Sequence, residues 1–222
     1  MNCHICSQVA GDPFGDLLAQ VLGSAEYVRR VPIETFSFAV IPSLGPLSDG
    51  HVILCPKTHY RSFASIPASY DHEYQSILKD VRYLLSDVYQ QPVHIFEHGT
   101  ARDGSRVLCS VDHAHMHLLP SSVSVAKALA PYPSCRVPPG LQGLRSAAGI
   151  HEYVFYESPQ GNRSLLCAHG GQFESQFLRR VFADAIGRSQ DWNWRQAMNP
   201  AAVEEIFQRI RKKWLEIREA KV

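Results

Sequence analysis

The run Asp112-His113-Ala114-His115-Met116-His117-Leu118-Leu119-Pro120 sets three imidazoles at alternate positions. Side chains leave a strand on opposite faces in turn, so His113, His115 and His117 are expected on one face and Ala114, Met116 and Leu118 in a core. Three of the chain's eleven histidines would then share one surface. Such a surface can bind a metal, hold phosphate oxygens, or supply a nucleophile with its supporting groups. The bland alternative is a polar strand face. A second cluster, Cys3-His4-Ile5-Cys6, has the spacing that lets two thiolates reach one tetrahedral zinc. A redox pair would instead open a helix after a strand, and no strand is expected before Cys3. Two ligands cannot close a structural site, so two more would have to come from histidines downstream.

The elements that must position these groups follow from pattern. Residues 13–30 read as a loop or short helix. Phe36 to Ile41 and His51 to Pro56 read as strands joined by the turn-rich stretch Pro42 to Gly50, most simply as a hairpin. The Val52-Ile53-Leu54 run suggests a strand covered on both faces. Pro67 to Tyr89 carries apolar residues at three- and four-residue spacing and is the main helix. Val93 to Gly99 is a third strand, antiparallel to the histidine strand. Residues 126–149, with four prolines among 131–139, read as an irregular connection. Ile150 to Tyr156 and Ser164 to Cys167 flank the turn Ser158 to Asn162 as a hairpin. Phe173 to Ile186 reads as a helix stopped by Gly187, and Asn199-Pro200 opens the last helix. Arg209, Arg211, Lys212 and Lys213 make its outer face basic, which suits a solvated face better than a nucleic-acid patch.

The chain has 222 residues, a net charge of +1, 45% hydrophobic and 19% charged residues, as in an ordinary soluble protein. The charge balance gives no pull toward nucleic acid or membrane. No apolar run approaches the roughly 20 residues of a spanning helix. The N-terminal residues lack the basic and apolar regions of a signal peptide, so the expected location is cytoplasmic and the six cysteines are expected as thiols or ligands.

Two stretches resemble the histidine triad (HIT) superfamily of nucleotide hydrolases and transferases: Gly50-His51-Val52-Ile53-Leu54-Cys55-Pro56-Lys57-Thr58-His59 and His113-Ala114-His115-Met116-His117-Leu118-Leu119. The resemblance covers roughly residues 1–120. It implies an α+β fold, a HIT-like antiparallel sheet with a long helix, here followed by an α/β C-terminal extension. The division would be a catalytic domain at 1–125, the connection at 126–149, and an extension at 150–222 (a hairpin and two helices) packed on the core. Tyr153 to Glu157, Phe177 to Arg180 and Trp194-Arg195 faintly resemble the C-terminal part of CwfJ-like proteins.

By motif position the resemblance implies that His115 attacks an α-phosphorus to give a covalent nucleotidyl-histidine. His117 would contact phosphate oxygens and aid the leaving group, His51 would complete the site, and Ser110 would hold the phosphate. It also implies a structural zinc on Cys3, Cys6, His59 and His113, and a homodimer built through a helix or an edge strand. There are departures. Cys109 stands where many members carry a glutamine that touches the phosphate or bridging oxygen. Glu97 stands near a usual asparagine; it could bind a sugar hydroxyl or be a capped structural acid. His98 could join the phosphate site or be structural, and Asp49 could bind ribose or serve the turn. Arg179, Arg180 and Arg195 in the extension are candidates for phosphate, against plain surface solvation. The expected activity is hydrolysis or nucleotidyl transfer on a phosphoanhydride, phosphoramidate or nucleotide-sugar. The alternative is a non-catalytic HIT-fold module for RNA or protein assembly.

Overall fold

The computed structural model describes residues 3–22, 28–99, 111–149, 152–167 and 173–220. Two short helices, α1 (His4–Ala10) and α2 (Leu17–Leu22), precede strands β1 (Ile33–Glu34), β2 (Phe38–Pro42) and β3 (Val52–Pro56). The long helix α3 (Asp71–Tyr89) leads to β4 (Val93–Gly99) and β5 (Met116–Pro120). After these come α4 (Ala126–Leu129), β6 (Ser134–Arg136), α5 (Gly140–Ala148), β7 (Tyr153–Glu157), β8 (Arg163–Leu166), α6 (Phe177–Ile186) and α7 (Pro200–Glu219). The architecture is α+β. All eight strands join one antiparallel sheet in the order β1-β2-β3-β5-β4-β7-β8-β6.

Strand alternation assigns the two sheet faces. Val52, Leu54, Met116, Leu118, Val93 and Ile95 point into the main core with Tyr74, Val81 and Leu85 of α3, Leu144 of α5 and Ile210 of α7. The other face carries Ile53, His117 and Phe96 in register on β3, β5 and β4. That face is covered at one end by α6, through Phe182 against Phe96, and at the other by α1 and Trp194. His115 and His117 lie between these covers.

Element boundaries depart from the sequence reading where local hydrogen bonds intervene. Thr35 and Phe38 close a turn through Phe38 N–H to Thr35 Oγ1 (3.1 Å), so β2 starts at Phe38 and Phe36 stays exposed. The stretch from Pro67 opens with a 3-10 turn over Ala68–Tyr70 before α3. Gln176 takes a left-handed φ of 58°, which delays α6 to Phe177. Of the histidine run, only Met116 onward is hydrogen-bonded strand; the alternation still buries Ala114, whose N–H donates to Tyr60 O (2.6 Å).

The larger correction concerns residues 126–149, expected as an irregular connection. They hold two helices and a strand of the sheet. The prolines flank these elements and interrupt none. Leu141, Leu144 and Ala148 recur at helical spacing and are buried. The Asp71 carboxylate of α3 accepts from Leu141 N–H (2.7 Å), so a distant acid caps α5 where no local residue does.

The extension is tied into the sheet by a buried acid. Glu97 on β4 accepts from Phe63 N–H (2.8 Å) and Tyr153 O–H (2.6 Å). Gly99 makes room for that tyrosine, since a Cβ there would lie 2.0 Å from the ring. Burial pushes the Glu97 carboxyl up to about 7, against the lowering effect of its two donors. A carboxyl raised in the folded state favours folding at low pH, and that contribution fades as pH rises from about 4.5 through 7. Glu97→Gln should therefore be more stable than the wild type at pH 8 relative to pH 5, by up to about 3 kcal/mol for a shift of this size. Urea denaturation of both proteins across that range measures the difference, and parallel pH profiles would refute the assignment.

Candidate active site and metal centre

Helix α1 begins at Cys3, whose Sγ caps it by accepting from Cys6 N–H (3.5 Å). That turn points both thiols the same way, as the three-residue spacing requires. They meet His59, from the turn after β3, and His113, just before β5. Cys3 Sγ lies 3.4 Å from His113 Nδ1, Cys6 Sγ 3.4 Å from His59 Nδ1 and 3.3 Å from His113 Nδ1, and the two Nδ1 atoms are 3.2 Å apart. All four ligand atoms lie within 4.8 Å of one another. Bonds of about 2.0–2.3 Å in a tetrahedron separate ligands by about 3.3–3.8 Å, so the cluster has the size of a zinc site. The protonation pattern fits as well. His113 Nε2 faces Pro56 O at 2.9 Å and must donate to it, which leaves Nδ1 as a lone pair aimed at the cluster. Without a cation, burial and the neighbouring Cys3 push the Cys6 thiol up to about 12. The residues fit a closed four-ligand metal.

The same logic fixes the tautomers of the other histidines, because a backbone group can play only one role. His115 Nδ1 lies 2.8 Å from His113 O, so it carries the proton and Nε2 keeps its lone pair. Leu47 N–H donates to His51 Nδ1 (3.2 Å). His51 Nε2 therefore bears hydrogen and donates to His117 Nδ1 at 3.0 Å, which leaves the His117 proton on Nε2. The His115 and His117 rings stand edge to face with centroids 5.0 Å apart. Phe96 stacks on His117 at 4.5 Å and holds it in place. Burial depresses all four imidazoles: His113 and His115 to about 4, His51 and His117 well below their ordinary value. The site pairs a neutral lone pair with a neutral N–H donor.

Arg179 of α6 joins these histidines. It is 2% exposed and lines the same cavity as His115 and His117. The other expected contacts do not converge there. Glu97 faces the opposite side of β4, held as described above. His98 accepts from Leu178 N–H (2.9 Å), so it caps the start of α6 one residue before Arg179. Asp49 is an exposed turn residue bordering a separate hollow with Tyr89 and Arg209. Arg180 lies over the Trp192 ring (3.2 Å to the centroid) and donates to Ser175 O; Arg195 is exposed beside Trp194. Ser110 and Cys109 lie outside the described residues. Cys55 is buried in the core, while Cys135 and Cys167 are exposed.

Three residues lining the cavity escaped the sequence reading: His4 and Gln8 of α1, and Trp194. His4 and Gln8 stand four apart on one helix face, a signal that was available. Trp194 reaches the cavity only through tertiary packing, with its backbone so close that a Cβ on Gly45 would lie 2.8 Å from it.

No family model and no curated protein matches the sequence. Solved structures similar to this chain include histidine triad proteins. A hypothetical histidine triad nucleotide-binding protein from Sulfolobus tokodaii is 19% identical, with a TM-score of 0.41 over 54% of this chain and 68% of its own. A HIT family member from Bacillus subtilis is 21% identical (TM-score 0.39, 54% and 73%). A zinc-bound histidine triad protein from Mycobacterium smegmatis is 19% identical (TM-score 0.38, 53% and 73%). Among the described residues no helix is long and apolar enough to cross a membrane.

The His98 cap has a direct consequence. Replacing His98 with leucine leaves the buried Leu178 amide without an acceptor and should cost about 1–3 kcal/mol. Chemical denaturation measures it, and a loss under about 0.5 kcal/mol would contradict the cap.

Proposed function

We propose that this protein is a zinc-containing histidine triad enzyme that cleaves or transfers a nucleoside monophosphate from a phosphoanhydride, phosphoramidate or nucleotide-sugar. The observation that carries this reading is the pairing of His115 Nε2, left as a lone pair by the bond to His113 O, with His117 Nε2–H beside it. A nucleophile and an oriented donor are what displacement at phosphorus needs.

His115 Nε2 attacks the α-phosphorus and forms the N–P bond. In a phosphoramidate the P–N bond breaks, and the leaving nitrogen keeps the electron pair and takes a proton from solvent. In a phosphoanhydride or nucleotide-sugar the P–O bond to the leaving group breaks, and its electron pair goes to the leaving oxygen. His117 Nε2–H hydrogen-bonds that oxygen, which suffices for an acidic phosphate leaving as its anion. The nucleotidylated His115 ring is cationic, and its Nδ1–H bond to His113 O strengthens as the charge develops. Water or another acceptor then attacks phosphorus, the N–P electron pair returns to Nε2, and the proton lost by the acceptor passes to solvent. His51 keeps His117 in the donating tautomer. A bound zinc would supply structure only, since Cys3, Cys6, His59 and His113 leave no open ligand position.

Incubation with adenylyl and uridylyl substrates should trap an acid-labile adduct on His115 by mass spectrometry. His115→Ala should abolish it, and His117→Ala should slow its formation by about 100-fold or more. A wild-type protein that forms no adduct with either class contradicts the proposal. Metal analysis should find about one zinc per chain. The double variant Cys3→Ser, Cys6→Ser should lose the metal, unfold at lower temperature, and form adduct more slowly, because His113 also holds His115. A variant that keeps its zinc would refute this ligand set.

A further inference from the structure

Two buried donors without partners among the described residues belong to side chains that line the cavity of His115 and His117. One is Arg179. Its Nε donates to Trp192 O (2.8 Å), and its Nη2 to Gly45 O (2.8 Å) and Asp191 O (3.3 Å), while Nη1 has no partner among the described residues. The other is Gln8 of α1, 3% exposed, whose Nε2 is likewise unpartnered. Orphaned buried donors are rare in folded proteins, and each costs stability unless something fills the role of acceptor.

Charge sharpens the point. Among the described residues no carboxylate pairs with Arg179. The carboxylate of Asp191 is taken by Arg188 at 2.6 Å, and Arg188 adds further positive charge nearby. Arg179 is close enough to disfavour protonation of His51, His98, His115 and His117. A buried cation held only by carbonyls is expensive and needs an anion. The available space says what size. The cavity is about 40 Å³, room for about three water-sized groups at 10–15 Å³ each. That suits the oxygens of one phosphoryl group. A nucleoside calls for a pocket of about 300 Å³ or more, so it has to lie beyond the mouth.

We propose that Gln8 Nε2–H and Arg179 Nη1–H form a two-donor clamp for the oxygens of the reacting phosphoryl group, one from the metal-anchored helix and one from the C-terminal extension. The clamp deepens the reading of His115 as a nucleophile at phosphorus. It sets the phosphorus between His115 and the donors, and it neutralises charge on the oxygens that do not leave. Because the cation comes from α6, a substrate phosphoryl group is recognised jointly by segments at both ends of the chain.

The test is titration of inorganic phosphate into the full-length, zinc-loaded protein by calorimetry, with chloride at equal ionic strength as control. Adenosine and uridine 5′-monophosphates are titrated in parallel. The wild type should bind phosphate and at least one monophosphate in preference to chloride. Arg179→Met should weaken both at least about tenfold, as expected for a charged donor, and Gln8→Met about two- to tenfold. Arg179→Met also loses three carbonyl contacts and can misfold, so Gln8→Met is the deciding variant. It breaks no hydrogen bond of Nε2, and should melt no lower than the wild type in phosphate-free buffer while binding phosphate more weakly. His115→Ala should still bind phosphate, since its Nε2 is not a donor. Phosphate binding unchanged in Gln8→Met overturns the clamp, even where an adduct forms on His115. Binding of phosphate but of neither monophosphate overturns its assignment to the substrate. If no adduct forms but both variants lose phosphate and monophosphate, the nucleophile reading fails and the clamp stands.

Discussion

The hydrogen bond from His115 Nδ1 to the carbonyl of His113 is the constraint on which the rest of the site depends. An imidazole free to choose its tautomer presents a lone pair or a proton at Nε2. This bond removes the choice. It works because residue 113 is itself held at both ends of its ring, by Pro56 O at Nε2 and by the cysteine–histidine cluster at Nδ1. Ala114, between the two histidines, is pinned by its amide to Tyr60 O. One residue thus serves the cysteine–histidine cluster with its side chain and fixes the His115 ring with its backbone. The link is two residues long and passes through no flexible side chain.

Burying so many imidazoles is costly only if they are charged or unpartnered. Here each one is neutral, and at least one nitrogen of each is engaged by a group that sets its tautomer. Leu47 N–H sets His51, which sets His117; Leu178 N–H sets His98. Each chain starts at a backbone group, so the tautomer is decided by the fold. The positive charge of Arg179 works in the same direction, since it disfavours imidazolium at all of these positions. The site is a cluster of neutral rings beside a fixed cation, an arrangement that attracts an anion without protonating His115.

The parts legible in the sequence were those encoded by short spacing. Alternation placed His113, His115 and His117; the three-residue step between Cys3 and Cys6 named half a metal site; three- and four-residue periodicity found α3 and α7. What stayed hidden depends on contacts far apart in the chain. Helix α5 has a buried stripe at Leu141, Leu144 and Ala148, yet its cap is Asp71, and prolines around it suggested a linker. His98 could be ligand or structure until Leu178, 80 residues later, decided the matter. Arg179 carries no sequence mark separating it from Arg180, but a residue apart on a helix the two face differently. One is buried among carbonyls and histidines, the other half-buried against Trp192.

The extension is best understood as a missing side of the core. Without β7, strand β4 would be a sheet edge, and Glu97 would lose the Tyr153 hydroxyl that helps to hold it neutral or charged in the interior. Without α6, Phe96 and His98 would face water, and His117 would lose the support of a packed Phe96. Arg179 of α6 and the 188–199 segment likewise brace the loop that ends at His51: Arg188 donates to Pro46 O and Leu47 O, Arg179 to Gly45 O, and Asn199 N–H to Leu44 O. That loop carries the Leu47 amide that fixes His51. The same packing covers the outer edge of β4 with β7 and flanks α3 with α5 and α7. Residues 1–125 therefore contain the histidines and the backbone groups that set their tautomers, while the loop that carries Leu47 is braced from the last quarter of the chain. The tautomer of His117 is set through His51 and Leu47 by contacts that begin in the last quarter of the chain.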